Sequence, residues 1–181
     1  MDEIIDKASQ IPSWVERSEM EVLAGMVVPI DGLIVEIGAL YGGATAVLAL
    51  ANPKARVVTI DEFSWTPPNH SKAGKAVLRA NLDKLGIENV EIIEGDSRIV
   101  GIGWTEPIDL LFVDGGHDFQ YVFTDLINFG PHASVIAVHD YNSPQWAASI
   151  NRAVDGFILA YPMWEIVKVV DTMAILGRKE I

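Results

Sequence analysis

Residues 33–45, LIVEIGALYGGAT, join a run of apolar residues to a glycine-rich turn and lead into the small residues ATAVLALA at 44–51. Most of the apolar residues are consecutive and β-branched, which is typical of a strand buried on both faces of a parallel sheet. Gly38, Gly42 and Gly43 allow the backbone to take a positive φ and to approach a ligand closely. The stretch therefore predicts a strand, a tight ligand-binding turn and a helix.

The spacing of the turn limits which ligand it can hold. A phosphate-binding loop needs a Gly-Lys-Ser/Thr ending, whereas this turn ends with Gly43, Ala44 and Thr45 and has no lysine. A dinucleotide-binding turn needs a glycine where Leu40 stands. Glu36, inside the strand, is expected to face the ligand, where its charge repels a pyrophosphate and suits the ammonium group of an aminoacyl cofactor. An ordinary turn without a ligand is the alternative.

The composition indicates one acidic domain. The 181 residues carry a formal net charge of −12, which disfavours nucleic-acid partners because their binding depends on Lys and Arg. The absence of cysteine excludes disulfides, thiolate catalysis and cysteine metal sites. Residues 1–10 lack the features of a signal peptide and no apolar run has membrane length, so a cytoplasmic protein is expected. We expect a single domain at 1–181 with a helical segment at 1–30.

Acidic residues follow two further predicted strands. Asp61 ends the strand at 55–61 and follows the glycine turn by roughly 20 residues. This spacing matches that of the acidic residue that holds ribose hydroxyls in nucleoside-type cofactor sites. Capping of the turn is the alternative role of Asp61. Asp96 and Ser97 follow the strand at 90–94 and are placed to contact an adenine edge, although turn chemistry selects the same residue types.

Polar residues also follow the fourth and fifth predicted strands, at 108–114 and 133–138. Asp114 and His117 come after the fourth strand, and His139 and Asp140 come after the fifth. Because the carboxyl ends of parallel strands meet at one edge of a sheet, these side chains are expected to converge on one crevice. Hydrophobic spacing predicts helices at 11–28 (with Ser13 as N-cap), 72–85, 118–128 and 147–159, and a hairpin at 165–170 and 172–176.

Two of these stretches resemble known sequences. EIGALYGGAT at 36–45 resembles the first motif of class I S-adenosylmethionine-dependent methyltransferases. The run D-G-x-H-x-F-x-x-V-x-x-D from Asp114 to Asp125 resembles small-molecule O-methyltransferases of the macrocin type and their cephalosporin-hydroxylase-like relatives, which often carry tyrosine in place of Phe119. The resemblance implies a Rossmann-like α/β fold, with a seven-stranded, mostly parallel sheet, a C-terminal antiparallel hairpin and helices on both faces.

The resemblance also implies an activity, namely transfer of a methyl group from S-adenosylmethionine to the hydroxyl of a small-molecule acceptor. His139 is the first choice as general base and His117 the second, because imidazole accepts a proton near neutral pH. Asp114 is the third predicted catalytic residue, since it begins the motif that contains His117 and its strand is expected to end level with the strand before His139. Metal-dependent relatives imply a divalent-ion site for Mg²⁺ or Mn²⁺ at Asp114, His139 and Asp140, in which a histidine favours Mn²⁺, Fe²⁺ or Zn²⁺ over Mg²⁺. The residues that the resemblance implies for cofactor binding are Glu36, Gly38, Ala39, Tyr41, Gly42, Asp61, Glu62, Asp96, Ser97, Asp114 and His117.

Two other functions compete with methyl transfer: a cofactor-binding domain without chemistry, and a nicotinamide-dependent oxidoreductase. The many polar groups on the acceptor side disfavour the first, and Leu40 and Glu36 disfavour the second. An apolar chain of this length is also expected to bury surface in a homodimer. The aromatic residues that either line an aromatic or sugar pocket or pack in rim loops are Trp65, Trp104, Tyr141 and Trp146.

Overall fold

A computed structural model describes residues 1–179, which form one mixed sheet with helices on both faces. The strands are β1 (Leu33–Ile37), β2 (Arg56–Asp61), β3 (Val90–Glu94), β4 (Ile108–Val113), β5 (Ala133–Val138), β6 (Trp164–Val170) and β7 (Met173–Arg178). The helices are α1 (Asp2–Ala8), α2 (Arg17–Val27), α3 (Gly43–Ala51), α4 (Lys75–Lys84), α5 (Ser97–Val100), α6 (Phe119–Phe129) and α7 (Ala147–Ala160), with a 3₁₀ turn at Gly130–His132.

The strand order is β3-β2-β1-β4-β5-β7-β6. The first five strands are parallel, whereas β7 runs antiparallel to both β5 and β6, with an irregularity in the β6 pairing between Ile166 and Lys168. This confirms the predicted seven-stranded sheet with a C-terminal antiparallel hairpin. No helix among residues 1–179 is long and apolar enough to cross a membrane.

The five residues of β1 are all buried because helices cover both faces of the sheet. Ile34 belongs to a core with Leu23 of α2 and Leu48 of α3, while Val35 belongs to a second core with Leu126 of α6 on the other face. Neighbouring residues of a strand point to opposite faces, so the apolar run of β1 contributes to both cores.

The N-terminal segment differs from the prediction of one helix at 11–28. It contains two helices, α1 and α2, and α2 begins after Glu16 instead of at Ser13. The backbone N–H of Glu16 donates to Oε2 of Glu19 at 3.0 Å, which forms a capping box and satisfies a donor at the helix start. Residues 12–14 are thereby left outside both helices, at the carboxyl edge of the sheet.

The strand ends that carry the polar residues are held together by backbone hydrogen bonds. The amide of Gly38 donates to the carbonyl of Ile60, that of Asp114 to Ile37, and that of His139 to Val113, at 2.8–3.0 Å. Strand order reverses between β1 and β4, and a crevice opens there in sheets of this kind. Gly38 has a φ of 92°, and a side chain there would overlap the carbonyl oxygen of Asp114, so this close approach requires glycine.

Candidate active site

A cavity of about 620 Å³ opens at the carboxyl ends of the parallel strands. It begins at the turn after β1 and extends past the ends of β2 and β4 to the end of β5. Of the residues predicted for the site, those that line it are Gly38, Ala39, Asp61, Glu62, Asp96, Ser97, Asp114, His117, His139 and Asp140. The sequence-predicted residues therefore border one cavity with three exceptions.

The exceptions are Glu36, Tyr41 and Gly42, which lie behind the cavity wall. Glu36 was expected to face the ligand, but its side chain is fully buried, and its Oε2 accepts a hydrogen bond from Oγ1 of Thr45 at 2.5 Å. Burial raises the pKa of Glu36 to about 8, against the opposing effect of the Thr45 hydrogen bond. The prediction fails because Glu36 shares a strand face with Ile34 and points under α3, towards the first core.

Asp61 fixes the conformation of the glycine-rich turn. Its Oδ2 accepts hydrogen bonds from the backbone amides of Ala39 at 2.8 Å and Leu40 at 2.7 Å, and its Oδ1 accepts one from Phe63 at 2.6 Å. Leu40 takes a positive φ of 50°, which these bonds help to hold. The same carboxylate borders the cavity, so Asp61 caps the turn and also lies where a ligand in the cavity could contact it.

Asp96 is held by a neighbouring arginine. Arg98 donates through Nε to Oδ1 at 2.8 Å and through Nη2 to Oδ2 at 2.5 Å, and the guanidinium lies 3.8 Å from the ring centre of Tyr121. The Arg98 hydrogen bonds lower the pKa of Asp96. Behind it lies buried Asp125, whose pKa burial raises to about 7 despite a hydrogen bond from Ser97. This end of the cavity therefore keeps one carboxylate ionised and fixed in orientation.

Four polar residues meet on the opposite side of the cavity. Nε2 of His117 lies 2.8 Å from Oδ2 of Asp140, and Nδ1 of His139 lies 3.0 Å from Oδ1 of Asp114. Asp140 takes a positive φ of 57°, which turns its side chain back towards both histidines. Although burial acts to raise the pKa of Asp140, hydrogen bonds with His117 and His139 hold it well below its usual range. Asp140 is therefore a carboxylate at neutral pH.

His139 does not fit the role of general base that its sequence position predicts. It is 6% exposed, and its Nε2 lies 3.0 Å from Oε2 of the fully buried Glu19. Burial lowers the pKa of His139, but the carboxylates of Asp114, Asp140 and Glu19 outweigh burial and raise it to about 12. An imidazolium ion has no lone pair with which to accept a proton or bind a metal. Contacts with three carboxylates thus disfavour His139 as base and as metal ligand, and both roles stay predictions.

His117 takes the place that the sequence assigned to His139 in a metal-binding group. One ligand atom from each of Asp114, His117 and Asp140 lies within 4.8 Å of the others, and all three residues are partly exposed to the cavity. Two carboxylates and one imidazole form a donor set that suits Mn²⁺, Fe²⁺ or Zn²⁺ and also accommodates Mg²⁺. These residues therefore fit a divalent cation in composition and spacing.

Two of the four aromatic residues expected at the rim line the cavity, and the other two pack against the second core. Trp65 and Trp146 line the cavity, and the ring of Trp146 stacks on His117 with centroids 4.9 Å apart and planes inclined by 16°. Trp104 instead packs on Phe129 in the second core, with centroids 5.1 Å apart, and does not reach the cavity. Tyr141 likewise packs against the second core and is not part of the lining.

Sequence reasoning did not identify two residues that organise the site. Glu19 contacts His139 from α2. Its only local signal in the sequence is its position three residues after Glu16, which is the spacing of a capping box. Arg98 fixes Asp96, and its signal is the position two residues after a helix N-cap. A third contribution to the lining comes from Pro12, Ser13 and Trp14, which lie between α1 and α2.

The sheet order, the glycine turn and the acidic end of β2 define a methyltransferase-type fold. The chain belongs to the methyltransferase domain family, which its residues 35–141 match. It is 25% identical over 147 residues to an uncharacterized protein of Acanthamoeba polyphaga mimivirus, and the match covers 77% of this chain. The chain spans 65% of the length of that curated relative.

Solved structures share the whole fold at low sequence identity. The structure of the O-methyltransferase NovP superposes with a TM-score of 0.77 at 17% identity, covering 93% of this chain and 82% of that one. Cofactor-bound Rv0187 from MTB gives a TM-score of 0.72 at 22% identity, with coverage of 99% and 89%. TomG from Streptomyces achromogenes, solved in complex with SAM, gives 0.66 at 19% identity, with coverage of 99% and 91%. At these identities the similarity establishes the fold.

Proposed function

We propose that this protein is an S-adenosylmethionine-dependent methyltransferase that methylates the hydroxyl group of a small molecule. The observation that carries the proposal is the position of Asp61, which fixes the glycine-rich turn through Ala39 and Leu40 while its carboxylate borders the cavity. The family to which the chain belongs supports the same conclusion. Residues 1–181 would act as one domain, because the N-terminal helices supply part of the cavity lining.

The residues around the glycine-rich turn fit the cofactor. Asp61 and Glu62 lie at the end of β2, where ribose hydroxyls would donate to carboxylate oxygens. Asp96 and Ser97, after β3, would contact the adenine end, with Asp96 held in place by Arg98. Bound S-adenosylmethionine supplies an electrophilic methyl group on a sulfonium. Glu36 would act indirectly, by tying β1 to α3 beneath the turn through Thr45.

The opposite side of the cavity would bind the acceptor and remove its proton. His117 reaches the cavity and is oriented by the Asp140 carboxylate 2.8 Å away. We assign His117 as the general base, because imidazole is the side chain best matched to proton transfer near neutral pH. Methyl transfer is a single displacement, so alignment of the acceptor oxygen with the methyl group is the other requirement. Asp114 and the fixed His139 would shape that part of the floor.

Asp114, His117 and Asp140 would also be the residues that hold a divalent cation, if the enzyme uses one. Such an ion would act as a Lewis acid that orients the acceptor hydroxyl and lowers its pKa. Activity in the presence of a chelator separates the two roles of His117. Full activity in chelator assigns His117 as a base alone, whereas loss of activity that one added divalent ion restores assigns it as a ligand.

Calorimetric titration tests the proposed function. The purified protein is titrated with S-adenosylmethionine, S-adenosylhomocysteine and NAD, together with the variants Asp61→Ala and Asp83→Ala. We expect the wild-type protein to bind S-adenosylmethionine and S-adenosylhomocysteine with micromolar affinity and not to bind NAD. Asp61→Ala is expected to lose binding of both S-adenosyl ligands. Asp83 is exposed on α4 and away from the cavity, so its variant is the matched control.

Two results would contradict the proposal. If the wild-type protein binds neither S-adenosylmethionine nor S-adenosylhomocysteine, the fold is present without this ligand. If it binds NAD instead, the protein is a nicotinamide-dependent oxidoreductase.

A further inference from the structure

Three tryptophan rings stand at the rim of the cavity on three different segments. Trp14 precedes α2, Trp65 follows β2, and Trp146 precedes α7. Trp14 is 47% exposed and Trp65 is 58% exposed. Large aromatic rings left in water around a cavity are typical of a binding surface, because a ligand that covers them removes apolar area from water. The rim is therefore built to receive a flat apolar surface.

One of these rings is held in place by its neighbours. The ring of Trp14 lies edge-on to His70, with centroids 5.3 Å apart, and 6.3 Å from the ring of Tyr41. The hydroxyl of Tyr41 donates to the carbonyl of Ser71, which fixes that ring as well. A ring held before binding loses little conformational entropy when a ligand covers it. Trp14 is therefore a preorganised part of the rim.

The cavity lining carries more negative than positive charge, because its carboxylates outnumber the protonated imidazole of His139. Among residues 1–179, no Lys or Arg lines the cavity. Arg98 lies next to the lining and donates hydrogen bonds through two of its nitrogen atoms to the carboxylate of Asp96. The lining carboxylates are Asp61, Glu62, Asp96, Asp114 and Asp140.

Resting on the proposed function, we propose that the acceptor is a planar ring compound with a free hydroxyl group and with no phosphate or carboxylate group. The rim tryptophans would cover the ring, and the acceptor-side carboxylates, Asp114 and Asp140, would accept hydrogen bonds from a neutral or cationic substituent. Aromatic faces attract cations as well as rings, so both features favour the same class of molecule.

Anionic acceptors are expected to bind this cavity poorly. Proteins bind phosphate and carboxylate groups with Arg, Lys or helix N-termini, and a desolvated anion without such a partner is costly. A nucleoside diphosphate sugar or a coenzyme A thioester would bring phosphates to a cavity in which the carboxylates outnumber the protonated His139. The cavity therefore selects against these two classes of acceptor.

Binding of matched phenols to the protein loaded with S-adenosylhomocysteine tests this inference. The probes are para-hydroxybenzylamine, para-hydroxybenzyl alcohol and para-hydroxybenzoate, which have one ring and differ in charge. Titration followed by tryptophan fluorescence is expected to show binding of the amine and the alcohol, and at least about tenfold weaker binding of the carboxylate. Equal or tighter binding of the carboxylate overturns the inference, as does absence of binding by all three. Failure of S-adenosylhomocysteine itself to bind instead contradicts the proposed function.

Two pairs of variants assign the effect to the cavity. Trp65→Ala is expected to weaken binding of the amine and the alcohol several-fold, whereas Trp65→Phe retains it, because the phenyl ring also offers a flat face. Gln145→Lys places a cation in the lining and is expected to reduce the difference in affinity between para-hydroxybenzoate and the two other phenols. Leu159 is 82% exposed on α7 and does not line the cavity, so Leu159→Ala and Leu159→Lys are the matched controls. An equal effect of Leu159→Lys on the preference would overturn the inference.

Discussion

Oε2 of Glu19 lies 3.0 Å from Nε2 of His139, although 120 residues separate the two in the chain. The other carboxylate oxygen of Glu19 accepts hydrogen bonds from the backbone N–H and the hydroxyl of Thr172, at 2.9 and 2.8 Å. Glu19 thus joins α2, the end of β5 and the turn of the C-terminal hairpin. The carboxylate balances the buried charge of His139 beneath the proposed acceptor site.

Glu19→Gln is expected to lower the free energy of unfolding by about 3 kcal/mol, because removing one partner of a buried pair leaves the other charge without compensation. Although burial acts to raise the pKa of Glu19, the hydrogen bond and charge of His139 lower it, so the stabilisation is present above pH 4.5 and declines below it. Urea unfolding at several pH values measures both effects.

Glu21→Gln is the control for this prediction. Glu21 lies on the same helix and forms an exposed pair with Arg17 at 3.3 Å, so its loss is expected to cost less than about 0.5 kcal/mol. Equal losses of stability in the two variants would show that the contact with His139 has no special role.

Glu36 is expected to make the protein less stable as the pH rises. Burial raises its folded-state pKa from 4.5 to about 8, so the folded state binds the proton more tightly and loses stability as the pH rises through this window. Glu36→Gln should remove a slope of up to about 1.4 kcal/mol per pH unit from the unfolding free energy. Asp125, with a pKa raised to about 7, contributes a separate slope over part of the same window.

Urea unfolding between pH 5 and pH 8 measures the slope in wild type and in Glu36→Gln. Glu91→Gln is the matched control, because Glu91 is exposed and pairs with Arg56 at the surface of β3. An unchanged slope in Glu36→Gln would show that Glu36 is ionised in the folded protein.

His117→Gln is expected to reduce kcat about 100-fold or more, since it removes the proposed base while the amide retains polarity and similar length. The affinity for S-adenosylhomocysteine should change far less than kcat, because His117 lies on the acceptor side of the cavity. Steady-state kinetics and calorimetry give the two values. His132→Gln, in the 3₁₀ turn outside the cavity lining, should match wild type, and a His117 variant with normal turnover would remove His117 from the mechanism.

Gly25→Ala is expected to raise the free energy of unfolding by about 0.5–1 kcal/mol, because alanine is the better helix former. Gly25 lies exposed within α2, and no described atom beyond its chain neighbours and the backbone of its own helix lies within 4 Å of where the new methyl group would stand. Gly38→Ala is the contrasting change, since its φ is positive and its methyl group would overlap the Asp114 carbonyl. Thermal unfolding distinguishes them, and a destabilised Gly25→Ala would contradict this reasoning.

The sheet could be predicted from the sequence because its strands are short apolar runs bounded by turn residues. The helix α1 was not predicted as a separate helix within the helical segment 1–30, since seven residues with four charges show little periodicity. Glu36 was placed on the wrong side, although alternation along β1 puts it on the face of Ile34, under α3. The convergence of Asp114, His117, His139 and Asp140 followed from parallel strand ends, which need no side-chain detail.

The protonation of His139 could not be predicted in the same way. It depends on Glu19, a residue on a helix distant in sequence, and on the direction in which three carboxylates point. A sequence pattern records which groups follow a strand, whereas a pKa depends on how many charges surround the group and how deeply it is buried. Contacts between distant segments therefore give the two histidines different surroundings.

The bonds from Glu19 to Thr172 also tie the C-terminal hairpin to the cavity, although the hairpin turn does not line it. The neighbouring residue Ser18 donates a hydrogen bond to Asp171, so two consecutive residues of α2 are anchored in that turn. Residues 12–14, which line the cavity, lie just before α2. The hairpin turn is therefore a distant support of the cavity wall, and a change in its length or sequence would be transmitted to residues 12–14 through α2.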